Sequence, residues 1–127
     1  MKLTVLICCV LFYVPCAFGQ DTTTGNVLRD KCRDFFAGQD NPSPATMDFV
    51  NTGYCAGYLD AVLSVEQAWR LVEGKSSKAA HFCLPNDVPK GQMFLVIKKW
   101  MDDHPEELHT QAAFIIHQAF LKAFPCK

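Results

Sequence analysis

The sequence predicts an all-α fold, a small disulfide-stapled bundle of about four helices. Three observations lead there. Apolar residues recur at spacings of three and four in four separate runs. No stretch alternates with period two, and the β-branched pairs Val96-Ile97 and Ile115-Ile116 sit inside helical patterns. Cysteines stand at the edges of the last two runs, with Cys83 just before one and Cys126 just after the other. Folded back through a turn at 102–104, those runs form a hairpin whose open ends a Cys83–Cys126 bond would clamp.

The first 19 residues fall outside the predicted domain. Lys2, an apolar stretch over 3–14, and Ala17-Phe18-Gly19 give the pattern of a secretory signal peptide, with cleavage before Gln20. As a membrane helix the stretch is short and interrupted by Pro15. The expected organisation is a signal peptide over 1–19 and one domain over 20–127, with no membrane association after cleavage.

Cleavage determines the cysteine count. Cys8, Cys9 and Cys16 leave with the signal, and Cys32, Cys55, Cys83 and Cys126 remain. Four cysteines in a small exported chain point to two disulfides in an oxidising compartment. Spacings of 23, 28 and 43, with no Cys-x-x-Cys, do not fit a zinc site. No metal and no cofactor are expected. The mature chain carries 11 basic and 13 acidic side chains, a balance that gives no reason to expect nucleic acid as a partner.

The elements follow in order. Residues 20–26 read as a polar N-terminal segment. A first helix is expected over 27–37, with Leu28, Cys32, Phe35 and Phe36 on one face, ended by Gly38. The second should begin near Thr46 as N-cap, with Asp48 in its first turn. Its expected inward positions are Val50, Tyr54, Gly57, Tyr58, Ala61, Val62, Val65, Ala68, Trp69 and Val72. Gly53 and Gly57 fall on one side, where a neighbouring helix could approach closely, while Asp60 and Glu66 are expected in solvent. Residues 74–81, Gly-Lys-Ser-Ser-Lys-Ala-Ala-His, lack apolar periodicity and read as an exposed loop.

The third helix is expected from Pro89, whose fixed φ suits a first helical position. Met93, Val96, Ile97 and Trp100 form its stripe, with Phe94 and Met101 at the margins and Lys98, Lys99, Asp102 and Asp103 towards water or a partner. Asp103-His104-Pro105-Glu106-Glu107 reads as a second helix start. The fourth helix should then bury Leu108, Ala112, Ile115, Ala119, Phe120 and Ala123, and stop at Pro125. In this arrangement Cys32 faces Cys55 across one hairpin as Cys83 faces Cys126 across the other. The interlocked pairing, Cys55–Cys83 with Cys32–Cys126, is the alternative.

Catalysis finds little support. There is no Gly-x-Ser-x-Gly, no phosphate loop and no His-Glu-x-x-His. The four histidines are scattered, and His109 and His117 lie too far apart along one helix to share a metal. Tyr54, Tyr58, Trp69 and Trp100 read as core aromatics at helical spacing. No enzyme is expected, and the basic loop and the charged edge of the third helix are the better interaction candidates.

Taken together, Cys55-Ala-Gly-Tyr58-Leu, Cys83-Leu-Pro-x-x-Val88, Gln92, Lys99-Trp100-Met101, the run from His104 to His109 and Ala123-Phe124-Pro125-Cys126 resemble the Rap/Tai family of immunity proteins. The resemblance spans about Cys32 to Cys126. It implies a small helical periplasmic protein, often dimeric, that binds and blocks a peptidoglycan amidase delivered by a type VI secretion system. Such amidases are papain-like, so the implied role is inhibitory binding. Two departures stand out: Pro89 replaces the usual Thr or Ser, and the loop at 74–81 is longer and more basic than in many members. Because a protruding loop can enter the amidase cleft in this family, Lys75, Ser76, Ser77 and Lys78 are expected partner contacts, with Lys98 and Lys99 beside them. The alternative functions are a small periplasmic helical chaperone and a small-ligand binder.

Overall fold

The computed structural model describes residues 23–37, 48–73 and 81–126. Within them are five α-helices and one short 3-10 turn, and no strand. They are α1 (Gly25–Lys31), α2 (Arg33–Ala37), α3 (Phe49–Glu73), α4 (Lys90–Asp103), the 3-10 turn Pro105–Glu107, and α5 (Ala112–Ala123). The all-α expectation holds, and the sulfurs pair as Cys32–Cys55 and Cys83–Cys126. The interlocked arrangement is not the one formed.

α4 and α5 make the centre. They pack closely on each other, antiparallel about the turn at 104–111. α4 contributes Met93, Phe94, Ile97 and Met101, and α5 contributes Ala112, Ile115, Ile116, Ala119 and Phe120, all buried. Phe94 and Met101 are therefore central, whereas Val96 and Trp100, expected in the middle of the stripe, are half-buried. The stripe is rotated towards α2, because Phe35 stacks on Phe94 at 4.2 Å between ring centroids and Phe36 meets it edge-on at 6.1 Å. Phe82 closes the other end, edge-on to Phe120 at 5.1 Å.

Four expectations about element boundaries are corrected. The first helix begins two residues early, at Gly25 with Thr24 as its cap, and is interrupted at Cys32, which turns the chain as its sulfur enters the core. Asp48 caps α3, accepting from the Val50 and Asn51 N–H groups at 3.0 and 3.1 Å; Thr46 lies outside the described residues. Pro89 occupies the N-cap of α4 with no side-chain hydrogen bond, so Lys90 is the first helical residue. The Asp103-His104-Pro105 signal starts only a single 3-10 turn, and α5 proper begins at Ala112. Leu108 is buried in that turn rather than in the helix, and Ala123 is exposed.

The late start of α5 has a physical cause. The backbone of residues 23–26 inserts beside the turn, so that Gly25 and Asn26 donate to the Thr110 and Leu108 carbonyls at 3.0 and 2.9 Å. In return the Ala112 N–H donates to the Thr23 carbonyl at 2.8 Å. Each helix start thus receives its partners from the other segment. Gly25 is required at this joint: an added Cβ would overlap Ile115 Cδ1 and stand 3.1 Å from the Leu108 carbonyl oxygen.

Candidate functional site

α3 spans 25 residues yet buries only Cys55 and Leu59 fully. The Cys32 disulfide fixes its rotation: Cys55 must face the core, Leu59 follows one turn later, and Val62, Leu63 and Glu66 continue that line half-buried. Part of the face expected to point inward consequently points out, while Tyr58 and Val62 stay half-buried against the core. Val50 is 80% exposed, Val65 56%, Trp69 55% and Val72 78%. Tyr54 is at the surface too, its hydroxyl 2.8 Å from Thr23 Oγ1. A Cβ built on Gly53 or Gly57 would meet nothing within 4 Å, so no part of the described chain exploits the close approach they allow.

Val65 and Trp69 border a groove between α3 and α5, of about 540 Å³. Tyr58, Val62, Val65, Trp69 and Phe114 form its walls, with Glu66, Gln111 and His117 at its edges. Trp69 and Phe114 are the exposed aromatics at this groove, 55% and 47% exposed.

Beneath one end of the groove lies a polar cluster that the expectation of a solvated Glu66 missed. The Glu66 side chain is only 11% exposed, and one of its oxygens is 2.7 Å from His81 Nδ1. His81 Nε2 lies 3.1 Å from Glu73, and His117 Nε2 lies 3.6 Å from the second Glu66 oxygen. The hydrogen bond to Glu66 lifts the His81 pKa above its ordinary value of 6.5; partial burial opposes this and Glu73 reinforces it. The imidazolium so favoured ties the chain at 81 back to α3. With both its nitrogens facing carboxylates, the ring orients rather than reacts. Among the described residues no group of three or more His, Cys, Asp or Glu side chains could hold a metal ion.

The expected contact residues are distributed differently. Lys75, Ser76, Ser77 and Lys78 lie outside the described residues. Lys98 and Lys99 are on α4, each ion-paired one turn ahead, Lys98 with Asp102 at 2.5 Å and Lys99 with Asp103 at 2.7 Å. Those contacts raise the Lys99 pKa and lower that of Asp103. Lys98 borders a second, charged groove with Arg29, Arg33, Asp30 and Asp102 that shares no residue with the apolar one. The structure therefore leaves the α4 edge charge-balanced, and places the large uncovered apolar area on α3 and Phe114.

One sign of this was present in the sequence. Cys55, Leu59 and Glu66 lie on one side of the same helix, so a disulfide at Cys55 requires Glu66 to approach the interior. Phe114 lies opposite the buried stripe of α5, and periodicity alone gave it no role.

A stapled helical module with an uncovered aromatic groove, and with histidines engaged by carboxylates, defines a class of small binding proteins. The family model of the Rap1a immunity proteins matches residues 24–126, and the chain belongs to that family. Membership implies a secreted effector protein as the partner, and a role that in this family is generally not catalytic. No curated protein and no solved structure gives a significant match. No helix among the described residues is long and apolar enough to cross a membrane.

Proposed function

We propose that the chain is exported by a signal peptide over 1–19 and acts in the periplasm as an immunity protein. In this reading it binds and inhibits a peptidoglycan amidase effector of a type VI secretion system. The observation that carries it is the uncovered groove between α3 and α5, which has the aromatic content of a protein-binding surface. Trp69 and Phe114 are the anchors in this reading. On the same reading Lys75, Ser76, Ser77 and Lys78 also belong to the effector contact. Lys98 and Lys99 supply at most a peripheral contribution, since Asp102 and Asp103 already balance them.

The test uses the oxidised mature protein as bait against secreted and periplasmic proteins of its own source. Capture of a papain-like amidase whose peptidoglycan cleavage stops on complex formation is the expected result. Capture of a diverse set of unfolded clients would replace this reading with that of a holdase.

A second copy of the chain is the other partner we propose, and a separate observation favours it. The N-terminal half of α3 exposes Phe49 and Val50 beside Gly53 and Gly57, whose unobstructed sides permit close helix packing. Light scattering should give twice the protomer mass, and Gly57→Leu should reduce it to one. A protomer mass for the wild-type chain would remove this partner without touching the effector reading.

A further inference from the structure

The two disulfides occupy opposite environments. Cys32 and Cys55 are both 0% exposed, enclosed between α1 and α3. Cys83 is half-buried and Cys126 is exposed, at the open end of the α4–α5 hairpin. A cation also stands beside the second bond. Arg70 of α3 directs Nη2 to within 3.6 Å of Cys83 Sγ, and Nη1 to 3.5 Å from the Phe82 carbonyl oxygen. Among the described residues no cation is recorded beside the first bond, whose cysteines belong to the apolar core.

Thiol–disulfide exchange depends on access to the attacked sulfur and on the stability of the departing thiolate. Cys126 supplies the first and the Arg70 guanidinium the second, because a nearby positive charge lowers a thiol pKa. We propose that Cys83–Cys126 is a thiol–disulfide exchange site, opened and closed by an external dithiol–disulfide couple while Cys32–Cys55 stays closed. A thiolate of the external dithiol attacks Cys126 Sγ, forming a mixed disulfide. The Cys83–Cys126 bond breaks, and its electron pair leaves on Cys83 as a thiolate beside Arg70. The second thiol of the reagent, as its thiolate, then attacks its own sulfur in the mixed disulfide and releases Cys126. The reagent becomes a cyclic disulfide, and two cysteine thiols are left on the protein. The reverse sequence, with a disulfide as oxidant, closes the bond.

Opening would act on a defined part of the fold. The bond is supported by only a short backbone pairing, with Phe82 bridged to Pro125 and the Cys83 N–H donating to the Phe124 carbonyl at 2.8 Å. The C-terminal residues would then be held mainly by Phe124, edge-on to Phe120 at 5.9 Å. The charged groups facing Arg70 and the segment it grips are Glu66 and Glu73 on α3 and His81 just before Phe82.

The experiment treats the oxidised protein with dithiothreitol under native conditions near neutral pH, quenches with iodoacetamide over time, and maps the alkylated peptides by mass. Cys83 and Cys126 should be labelled at least about tenfold faster than Cys32 and Cys55. Arg70→Gln, a change at an exposed position, should slow the opening about threefold, the effect of one pKa unit on a leaving thiol, and Arg70→Lys should restore it. Labelling of all four cysteines together, or of Cys32 and Cys55 first, would overturn the proposal. Opening of Arg70→Gln at the wild-type rate would overturn the part assigned to the guanidinium.

Discussion

α3 and the α4–α5 hairpin contain nearly equal numbers of helical residues and use their apolar side chains in opposite ways. The hairpin turns nine residues fully inward, including Ile97, Met101, Ile115, Ile116 and Phe120. α3 turns two inward and leaves Val50, Val65, Trp69, Leu71 and Val72 in water. Both sequences show helical periodicity. Periodicity shows that a face is apolar, but whether that face meets the same chain or another is decided by what else the chain has to offer it. Here the hairpin fills its own core, and the described residues leave much of one side of a helix of roughly 37 Å in water.

The sharpest way to break this contrast is to cut one large side chain from each region. Phe120→Ala removes a ring at the centre of the hairpin and should cost about 3–5 kcal/mol, read as a lowered urea midpoint. A loss below 1 kcal/mol would mean that α5 is not the core helix. Removing the buried staple comes next. The double change Cys32→Ala, Cys55→Ala should cost about 3 kcal/mol and free α3 to rotate, which near-UV circular dichroism and denaturation would register together.

Trp69→Ala and Phe114→Ala should behave in the reverse manner. Each should shift stability by no more than about 0.5 kcal/mol, since both rings are largely in solvent. In the captured complex each should weaken effector affinity by about 2 kcal/mol, some thirtyfold by calorimetry. Unchanged affinity in both would move the effector contact off the groove.

The smallest effect concerns the joint between α3 and residue 81. The folded pKa of His81 is raised, chiefly by its hydrogen bond to Glu66. Its contribution to stability is therefore fully present below the unfolded value of 6.5 and fades as pH rises through the higher folded value. The unfolding midpoint should fall modestly from pH 6 to pH 8, and His81→Gln should flatten that slope. An equal slope in the variant would assign it to another group.

How much was legible in the sequence follows from the same contrast. The fold class, the α4–α5 stripe and the exclusion of a metal-type cysteine spacing could be read directly, because each depends on local pattern. The kink at Cys32 and the late start of α5 could not, because the first depends on a disulfide to another helix and the second on backbone hydrogen bonds between segments distant in sequence. The rotation of α3 was misread because Tyr54, Val65 and Val72 formed the more conspicuous stripe, whereas Cys55, Leu59 and Glu66 marked the buried side. Glu66 looked like a surface acid because its partner His81 lies fifteen positions away in the chain.

The mutual capping between residues 23–26 and 108–112 also bears on the order in which the molecule can assemble. Their amides and carbonyls meet across more than eighty intervening positions, so the joint has a high contact order. A chain produced or threaded from its N-terminus cannot dock α1 until its final quarter has emerged. Cys32 and Cys55 reach one another well before that, while Cys126 arrives last. The buried staple is thus positioned to close early, and the exposed one to complete the fold.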